Sequence, residues 1–253
     1  MQVKVRNREV LRGNAFICNG WIIRAYDDKT GADFIQRNWK NICTPESVIK
    51  DDHRSFVGVF HSDGIKYTVK RFKLQHNRLG FRFASVFCSS LGEIACHNAV
   101  ALNNAGIKTP PPGFLLQRVK LGAIRDSWIV YQFVPGEEIQ PENQLEIVDF
   151  VKNMHHNGWV HRDANPTNFL MTESGMVTID PICVRQSGSL LAMALDVLHL
   201  DSDILGTIER YGKGELGVWL SIAKFYRSFM RFYRSIKLLV RKVLRQNEHS
   251  GMR

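Results

Sequence analysis

The clearest alternation of hydrophobic and polar residues lies in the first third of the chain. Residues 55–60 read Ser-Phe-Val-Gly-Val-Phe, residues 61–64 are turn formers, and Ile65–Phe72 alternates again. This pattern predicts a β-hairpin, because successive side chains of a strand point to opposite faces of its sheet. Residues 20–42, which include a Trp-Ile-Ile run at 21–23, predict a strand-rich segment before it.

Helical spacing and one further strand dominate the middle of the chain. A helix is predicted over about 83–104, ended by Gly106 and three prolines, and a buried strand is predicted over 127–134. Residues 145–156 form an amphipathic helical pattern that stops at an Asn-Gly pair. The two histidines at its end are interpreted as favourable charges near a helix C-terminus and not as metal ligands. Strands followed by helices predict an α+β fold.

A second predicted hairpin carries the candidate chemistry. A short strand ends at Val160, a polar loop follows, and residues 169–171 and 177–179 are apolar runs joined by Glu-Ser-Gly. The loop holds Asp163 and Asn168, and Asp180 follows the second run. A carboxylate at Asp163 can accept the proton of an attacking hydroxyl, and the oxygens of Asn168 and Asp180 suit Mg²⁺. This spacing is typical of the catalytic centre of kinase-like phosphotransferases.

Two charged residues upstream fit the same chemistry. Lys70 lies late in the first hairpin, where a lysine can grip the phosphates of ATP, and Glu93 is the acidic residue of the predicted helix over 83–104. Glu93 is predicted to pair with Lys70 and to hold its ammonium over the α- and β-phosphates. The alternatives are a solvated strand lysine and a surface glutamate.

The predicted strand over 127–134 completes a two-lobed, protein-kinase-like architecture. Backbone groups of Gln132, Phe133 and Val134 are predicted to meet the adenine edge of ATP. The predicted division is an N-terminal extension over 1–18, a small β-rich lobe over 19–134 and a mainly helical lobe over 135–253.

Composition agrees with such an enzyme and indicates an anionic partner. The chain has 253 residues, with 34 Lys and Arg against 24 Asp and Glu, which gives a net charge of +10. This balance suits nucleotide, nucleic acid, phosphorylated glycan or an anionic membrane. Five scattered cysteines indicate reduced thiols in the cytoplasm, and neither a secretory signal nor an 18-residue apolar run is present.

Two missing features narrow the prediction. The position of the phosphate-covering loop, residues 49–55, reads Ile-Lys-Asp-Asp-His-Arg-Ser and lacks G-x-G-x-x-G. Only 73 residues follow Asp180, and no A-P-E occurs among them. We therefore do not expect the full segment with which protein kinases hold a peptide. A small molecule or glycan is the better predicted acceptor.

The chain resembles the bacterial lipopolysaccharide core heptose kinases of the RfaY/WaaY type, divergent relatives of protein and aminoglycoside kinases. The resemblance extends over about residues 19–245. The segments that carry it are Asp27-Asp28-Lys29, Tyr67-Thr68-Val69-Lys70, Glu93 with Asn104-Ala105-Gly106, Phe133-Val134-Pro135-Gly136-Glu137-Glu138, the Asp163/Asn168 loop and Arg210-Tyr211-Gly212.

The resemblance implies a transferase that uses ATP and Mg²⁺ to phosphorylate a heptose of the lipopolysaccharide inner core. It implies Asp163 as the base, Asn168 and Asp180 as magnesium ligands, and Lys70 with Glu93 as the phosphate clamp. It also implies a cytoplasmic protein at the inner face of the inner membrane. One departure is His161-Arg162-Asp163, since the family often has Gly before the catalytic Asp. This brings the motif closer to protein kinases.

The last part of the chain bears on location. Residues 223–245 hold eight basic residues and no acidic one, interleaved with aromatic and aliphatic residues at helical spacing. This pattern is typical of a helix that lies on an anionic membrane, with Arg227, Arg231, Arg234 and Arg241 expected to face lipid. The alternatives are a packed helix with a solvated cationic face, and nucleic-acid binding, which no recognition motif supports. No protein partner can be inferred.

The prediction is therefore an ATP-dependent, peripheral membrane kinase of a lipopolysaccharide core sugar. Alternatives are a kinase of another small molecule or of a protein. A third alternative, of another class, is a catalytically inactive pseudokinase that acts as a membrane-associated scaffold.

Overall fold

The structure is a computed structural model that describes residues 15–26, 32–73, 89–212, 214 and 216–250. Within the last helix, the side chains of residues 231, 234 and 238–250 lie outside the description. The chain divides into two compact units. The first comprises Met1–Glu138 and Thr167–Cys183, and the second comprises Ile139–Pro166 and Val184–Arg253.

A seven-stranded sheet forms the first unit, and every neighbouring pair in it is antiparallel. The strand order is β1-β2-β6-β7-β5-β4-β3. The strands are β1 (Ala15–Cys18), β2 (Trp21–Ala25), β3 (Ser47–Asp51), β4 (Ser55–Ser62), β5 (Ile65–Phe72), β6 (Phe114–Lys120) and β7 (Ala123–Gln132). The predicted first hairpin is confirmed as β4 and β5, in which Ser55 pairs with Phe72 and Ser62 with Ile65.

The prediction of strand-rich structure over 20–42 is wrong in its second half. Helix α1 (Ala32–Cys43) occupies it and buries Phe34, Ile35 and Ile42 against the sheet. These positions recur at helical spacing, and a strand would have placed Phe34 and Ile35 on opposite faces. Residues 1–14 and the predicted turn at 27–31 lie outside the described residues.

Helix α2 (Leu91–Asn104) packs on the other face of strands β5, β6 and β7. Ser90 caps it, since its Oγ accepts the Glu93 N–H at 2.9 Å. Gly92 is required for the close approach to the sheet, because a Cβ there would lie 2.2 Å from Ser127 Oγ. The predicted start near residue 83 lies outside the described residues.

The predicted second hairpin is also confirmed, in a small sheet within the first unit. It consists of β10 (Phe169–Thr172) and β11 (Gly175–Thr178), and β8 (Glu137–Glu138) pairs with β10.

The second unit is mainly helical. Its elements are α3 (Leu145–His156), β9 (Trp159–Val160), β12 (Arg185–Gln186), α4 (Leu190–Asp201), α5 (Thr207–Tyr211) and α6 (Gly217–Ser250). The interior of this unit includes Val148 and Met154 of α3 and Val197 of α4. Leu220 and Ala223 of α6 pack against α4. A sheet-bearing unit and a helical unit confirm the predicted α+β class.

Candidate active site

Lys70 lies in a central strand of the seven-stranded sheet. It pairs in register with Val57 of β4 and Ile129 of β7, so the backbone of β5 is fixed from both sides. Its Nζ lies 2.7 Å from Oδ2 of Asp180, with 13% of the lysine side chain and 33% of the aspartate side chain exposed. The structure thus brings together the predicted phosphate-binding cation and one predicted magnesium ligand.

The β10–β11 hairpin places Asn168 and Asp180 at its open end. Phe169 pairs with Thr178, and the Ile179 N–H donates to the Asn168 carbonyl oxygen at 2.9 Å. Asn168 and Asp180 therefore flank the last pairing of the hairpin.

An amide oxygen and a carboxylate oxygen form a hard donor set that fits Mg²⁺. Among the described residues, no group of three His, Cys, Asp or Glu side chains could hold a metal. A site with few protein ligands matches Mg²⁺ bound to a nucleotide, since this ion takes much of its shell from phosphate and water oxygens. Asn168 and Asp180 are the residues that would hold it.

Apolar side chains surround the Lys70–Asp180 pair. A cavity of about 30 Å³ beside it is lined by Phe72, Cys96 and Tyr131, among others. Burial, and then the charge of Asp180, raise the pKa of the Tyr131 hydroxyl above its ordinary value. The low dielectric that suppresses ionisation of Tyr131 also strengthens the attraction between Lys70 and Asp180.

The predicted ion pair between Lys70 and Glu93 is not formed. Glu93 Oε1 instead lies 2.8 Å from the Arg24 guanidinium, and both side chains are mostly buried, at 18% and 12% exposed. Arg24 comes from β2, which is separated from β5 in the strand order by β6 and β7. Each of the two cations already has a carboxylate partner, so neither charge is left uncompensated in the part-buried space.

The predicted hinge residues follow directly from β7. Gln132 ends the strand and pairs with Tyr67, and the Phe133 N–H donates to the Lys66 carbonyl oxygen at 2.9 Å. Lys66 Nζ lies 3.9 Å from the centre of the Phe133 ring. Val134 lines a cavity of about 760 Å³ together with Gly136 and Met171. Of these backbone groups, the Phe133 N–H is therefore already engaged by β5.

The β3–β4 turn lies where the phosphate-covering loop was expected, and it is closed on itself. Asp52 Oδ1 accepts the N–H groups of Arg54 and Ser55, each at 2.7 Å. These two bonds, first that of Ser55, lower the pKa of the Asp52 carboxyl to about 2. The two amides are directed at a carboxylate, so they are not open donors for phosphate oxygens.

In the second unit, Asp163 is an exposed residue of the loop after β9. The Asn165 N–H donates to the Asp163 carbonyl oxygen at 2.8 Å, which tightens the loop. Arg162, directly before Asp163, has φ +64°, an uncommon conformation for a residue with a Cβ. A backbone held in this region needs support from its surroundings.

Asp196 of α4 supplies that support. Its side chain is almost fully buried, and its two oxygens accept the N–H groups of His161 at 2.5 Å and Arg162 at 2.6 Å. One carboxylate therefore fixes two consecutive peptide groups immediately before Asp163.

A chain of buried and part-buried polar groups continues from Asp196. Nε2 of His155 lies 3.2 Å from Asp196 Oδ2, and Nδ1 of His155 lies 2.9 Å from the Tyr211 hydroxyl. Burial, and then the charge of Asp196, raise the pKa of Tyr211 to about 12, so the hydroxyl keeps its proton and can donate to Nδ1. Lys152 Nζ donates to the Tyr211 carbonyl oxygen at 2.8 Å. His155 is thus a buried structural residue and not an exposed charge at a helix end.

Sequence reasoning missed Asp196 and Arg24 as supporting residues. Asp196 stands out as an acidic residue inside the apolar run 190–200, a position that requires buried donors, so it left a usable signal. Arg24 left none, because its partner Glu93 lies 69 residues away.

Comparison with known proteins gives matches in structure alone. No family model matches the chain, and no curated protein matches it in sequence. It is similar to the solved structure of WaaP in complex with acyl carrier protein, with 16% identity and a TM-score of 0.44 over 80% of this chain and 95% of that one.

The chain is also similar to two structures of the PknI kinase domain of Mycobacterium tuberculosis. Both have 16% identity and cover 61% of this chain and 71% of that one, with TM-scores of 0.37 and 0.36.

Proposed function

We propose that the protein is an ATP-dependent phosphotransferase that acts on an alcohol. The observation that carries the proposal is the contact of Lys70 with Asp180, which lies with Asn168 at the open end of the β10–β11 hairpin. Asp163 follows a loop backbone that a buried carboxylate holds in an uncommon conformation. A cation for phosphate, two hard oxygen donors and an exposed carboxylate are the groups that phosphoryl transfer requires.

In the proposed reaction, Asp163 accepts the proton of the acceptor hydroxyl as that oxygen attacks the γ-phosphorus. The bond from the γ-phosphorus to the bridging oxygen of ADP breaks, and ADP leaves with the electron pair. Mg²⁺ neutralises charge on the phosphates when it is bound. Asn168 and Asp180 would hold this ion, and Lys70 would exchange its contact with Asp180 for the phosphates.

The proposed acceptor is a sugar hydroxyl of the lipopolysaccharide core, a heptose by resemblance. No A-P-E of the kind found in peptide-binding kinases occurs after Asp180 in this sequence, which favours a small or glycan acceptor. None of the described helices is long and apolar enough to cross a bilayer. We place the protein in the cytoplasm, attached peripherally to the inner membrane through residues 223–245.

A scaffold of the pseudokinase class is the competing proposal. Two observations favour it. Glu93 forms its ion pair with Arg24 and not with Lys70, and the amides of the β3–β4 turn are bound to Asp52. The two proposals differ in whether the protein binds Mg-ATP, because a kinase must bind it and a scaffold has no need to.

The thermal midpoint should be measured with ATP alone and with ATP and Mg²⁺. If the protein is an enzyme, ATP should raise the thermal midpoint, and ATP with Mg²⁺ should raise it further. That extra rise should disappear in Asp180→Asn and persist in the surface control Asp203→Ala. No rise under either condition in the wild type would eliminate the kinase proposal.

The acceptor is then identified by mass spectrometry of core oligosaccharide from cells with and without the gene. An unchanged phosphate content would remove the core sugar as the acceptor.

A further inference from the structure

Helix α6 carries a row of exposed hydrophobic side chains, which we call the aromatic stripe. The members of the row are spaced alternately four and three residues apart. They are Val218, Ile222, Phe225, Phe229, Phe232 and Ile236, with exposures from 42% to 75%. Tyr226 and Tyr233, also exposed, border the row. At about 1.5 Å per residue, the stripe is about 27 Å long.

The stripe is not part of the core of the second unit. Leu220 and Ala223 of α6 pack on α4, and the Arg227 guanidinium donates to the Leu198 carbonyl oxygen at 2.8 Å. At about 100° per residue, these three positions lie on the side of the helix opposite the stripe. Arg227 is therefore a packing residue and not a lipid contact, contrary to the expectation from sequence. The side chains of Arg231, Arg234 and Arg241 lie outside the described ones.

A patch of this kind requires an occupant, because exposed apolar surface that is continuous and rimmed by polar groups marks an interaction site. The spacing of the stripe would suit a second copy of the helix, but the charge opposes it. Residues 223–245 contain eight basic residues and no acidic one, so two copies would face each other without any compensating carboxylate. An anionic partner is required.

We propose that the aromatic stripe inserts into the interface of an anionic membrane. Phenylalanine side chains enter the boundary between headgroups and acyl chains, and the tyrosines keep their hydroxyls at headgroup level. Lys224 and Lys237 are exposed, and their long side chains reach lipid phosphates. This inference deepens the membrane attachment in the proposed function by assigning the surface that makes it, and its test requires no phosphotransferase activity.

The experiment is co-sedimentation of the full chain with phosphatidylcholine vesicles, with and without phosphatidylglycerol. The test variant is Phe225→Gln/Phe229→Gln/Phe232→Gln. Its matched control is Val48→Gln/Ile49→Gln/Leu205→Gln, which removes three apolar side chains elsewhere, each more than half exposed, as are the three phenylalanines. We expect the wild type and the control to bind anionic vesicles, and the stripe variant to lose about 100-fold or more in partition coefficient.

Further measurements keep the result unambiguous. Circular dichroism should show the same helix content in all three proteins. If the triple variant unfolds, Phe229→Gln alone replaces it and should lose about tenfold in partition coefficient. Lys224→Gln/Lys237→Gln should weaken binding to anionic vesicles and should make it less sensitive to salt. Equal sedimentation of the stripe variant and the control would overturn the proposal. So would failure of the wild type to bind anionic vesicles, which would favour an acidic protein as the occupant.

Discussion

The candidate site residues of the first unit and those of the second are held in different ways. In the first unit, Lys70 and Asp180 meet through side chains that are partly exposed, and Arg24 takes the carboxylate expected to pair with Lys70. In the second unit, a fully buried carboxylate binds two backbone N–H groups of the loop that carries Asp163.

This difference separates groups that exchange partners from groups that preserve a conformation. An ion pair between two side chains can be replaced by contacts to Mg²⁺ and phosphate at little structural cost. A buried carboxylate that satisfies two peptide groups cannot be replaced without leaving unpaired donors. We expect the residues of the first unit to respond to ligand, and Asp196 to be indifferent to ligand and essential for stability.

The largest expected effect is at Asp163. Asp163→Ala should lower turnover by about 10²–10⁴-fold, because a general base contributes that much, and should leave the thermal midpoint unchanged, since the side chain is exposed. Steady-state kinetics and a thermal melt measure the two quantities. Turnover close to that of the wild type would exclude Asp163 as the base.

Asp196→Ala tests the other side of the comparison. Loss of a buried carboxylate with three donors should lower the free energy of unfolding by roughly 3–5 kcal/mol in urea denaturation. ATP with Mg²⁺ should raise the free energy of unfolding of Asp196→Ala no more than it raises that of the wild type. Asp201→Ala, at the end of the same helix, is the control and should change stability by less than about 1 kcal/mol. A loss for Asp196→Ala no larger than that of the control would mean that the loop is held by other contacts.

Asp180→Asn should affect ligand binding more than stability. We expect the tightening of ATP binding by Mg²⁺ to fall at least about tenfold, because the metal loses a carboxylate ligand. Binding without Mg²⁺ should not weaken, because Asp180→Asn also removes the charged partner of Lys70 and leaves its ammonium available to the phosphates. Isothermal titration with and without Mg²⁺ measures both. Equal losses in the two titrations would assign Asp180 a structural role in the hairpin.

The smallest expected effect is at Tyr211. Tyr211→Phe removes the hydrogen bond to His155 and should cost about 0.5–1.5 kcal/mol at neutral pH. The raised pKa adds a pH dependence: the contribution of the protonated hydroxyl is complete below about pH 10, the unfolded value, and is lost as the pH rises through about 12. The wild type should therefore lose stability over this range more steeply than Tyr211→Phe. Tyr226→Phe, at an exposed tyrosine, is the control. Parallel stability curves would contradict the hydrogen bond between Tyr211 and His155.

The hairpins were predictable from sequence because their signals are local. Alternation in 55–72 and the Glu-Ser-Gly turn each fix a register between residues that are close along the chain. Residues 32–43 were misassigned because aromatic and β-branched residues favour strands, and the spacing of Phe34, Ile35 and Ile42 outweighs that preference only when it is considered over the whole segment.

The site was predictable only where a linear motif fixes it. Asp163, Asn168 and Asp180 lie within one short segment, so their roles could be inferred from their order and spacing in the sequence. The partner of Glu93 could not be predicted from sequence, because Arg24 and Lys70 are both basic residues on strands. Packing in three dimensions decides which of the two forms the ion pair. Asp196 lies more than 30 residues from the loop it supports.

The closed turn at Asp52 has a kinetic consequence. Where a flexible loop covers the phosphates, its opening often limits the rate at which product leaves an enzyme. Here the turn is already tied by two bonds to its own carboxylate and has few amides to offer a nucleotide. We therefore expect ADP to dissociate quickly, so that a stopped-flow experiment shows no burst of phosphorylated product and the transfer step itself sets the pace of turnover.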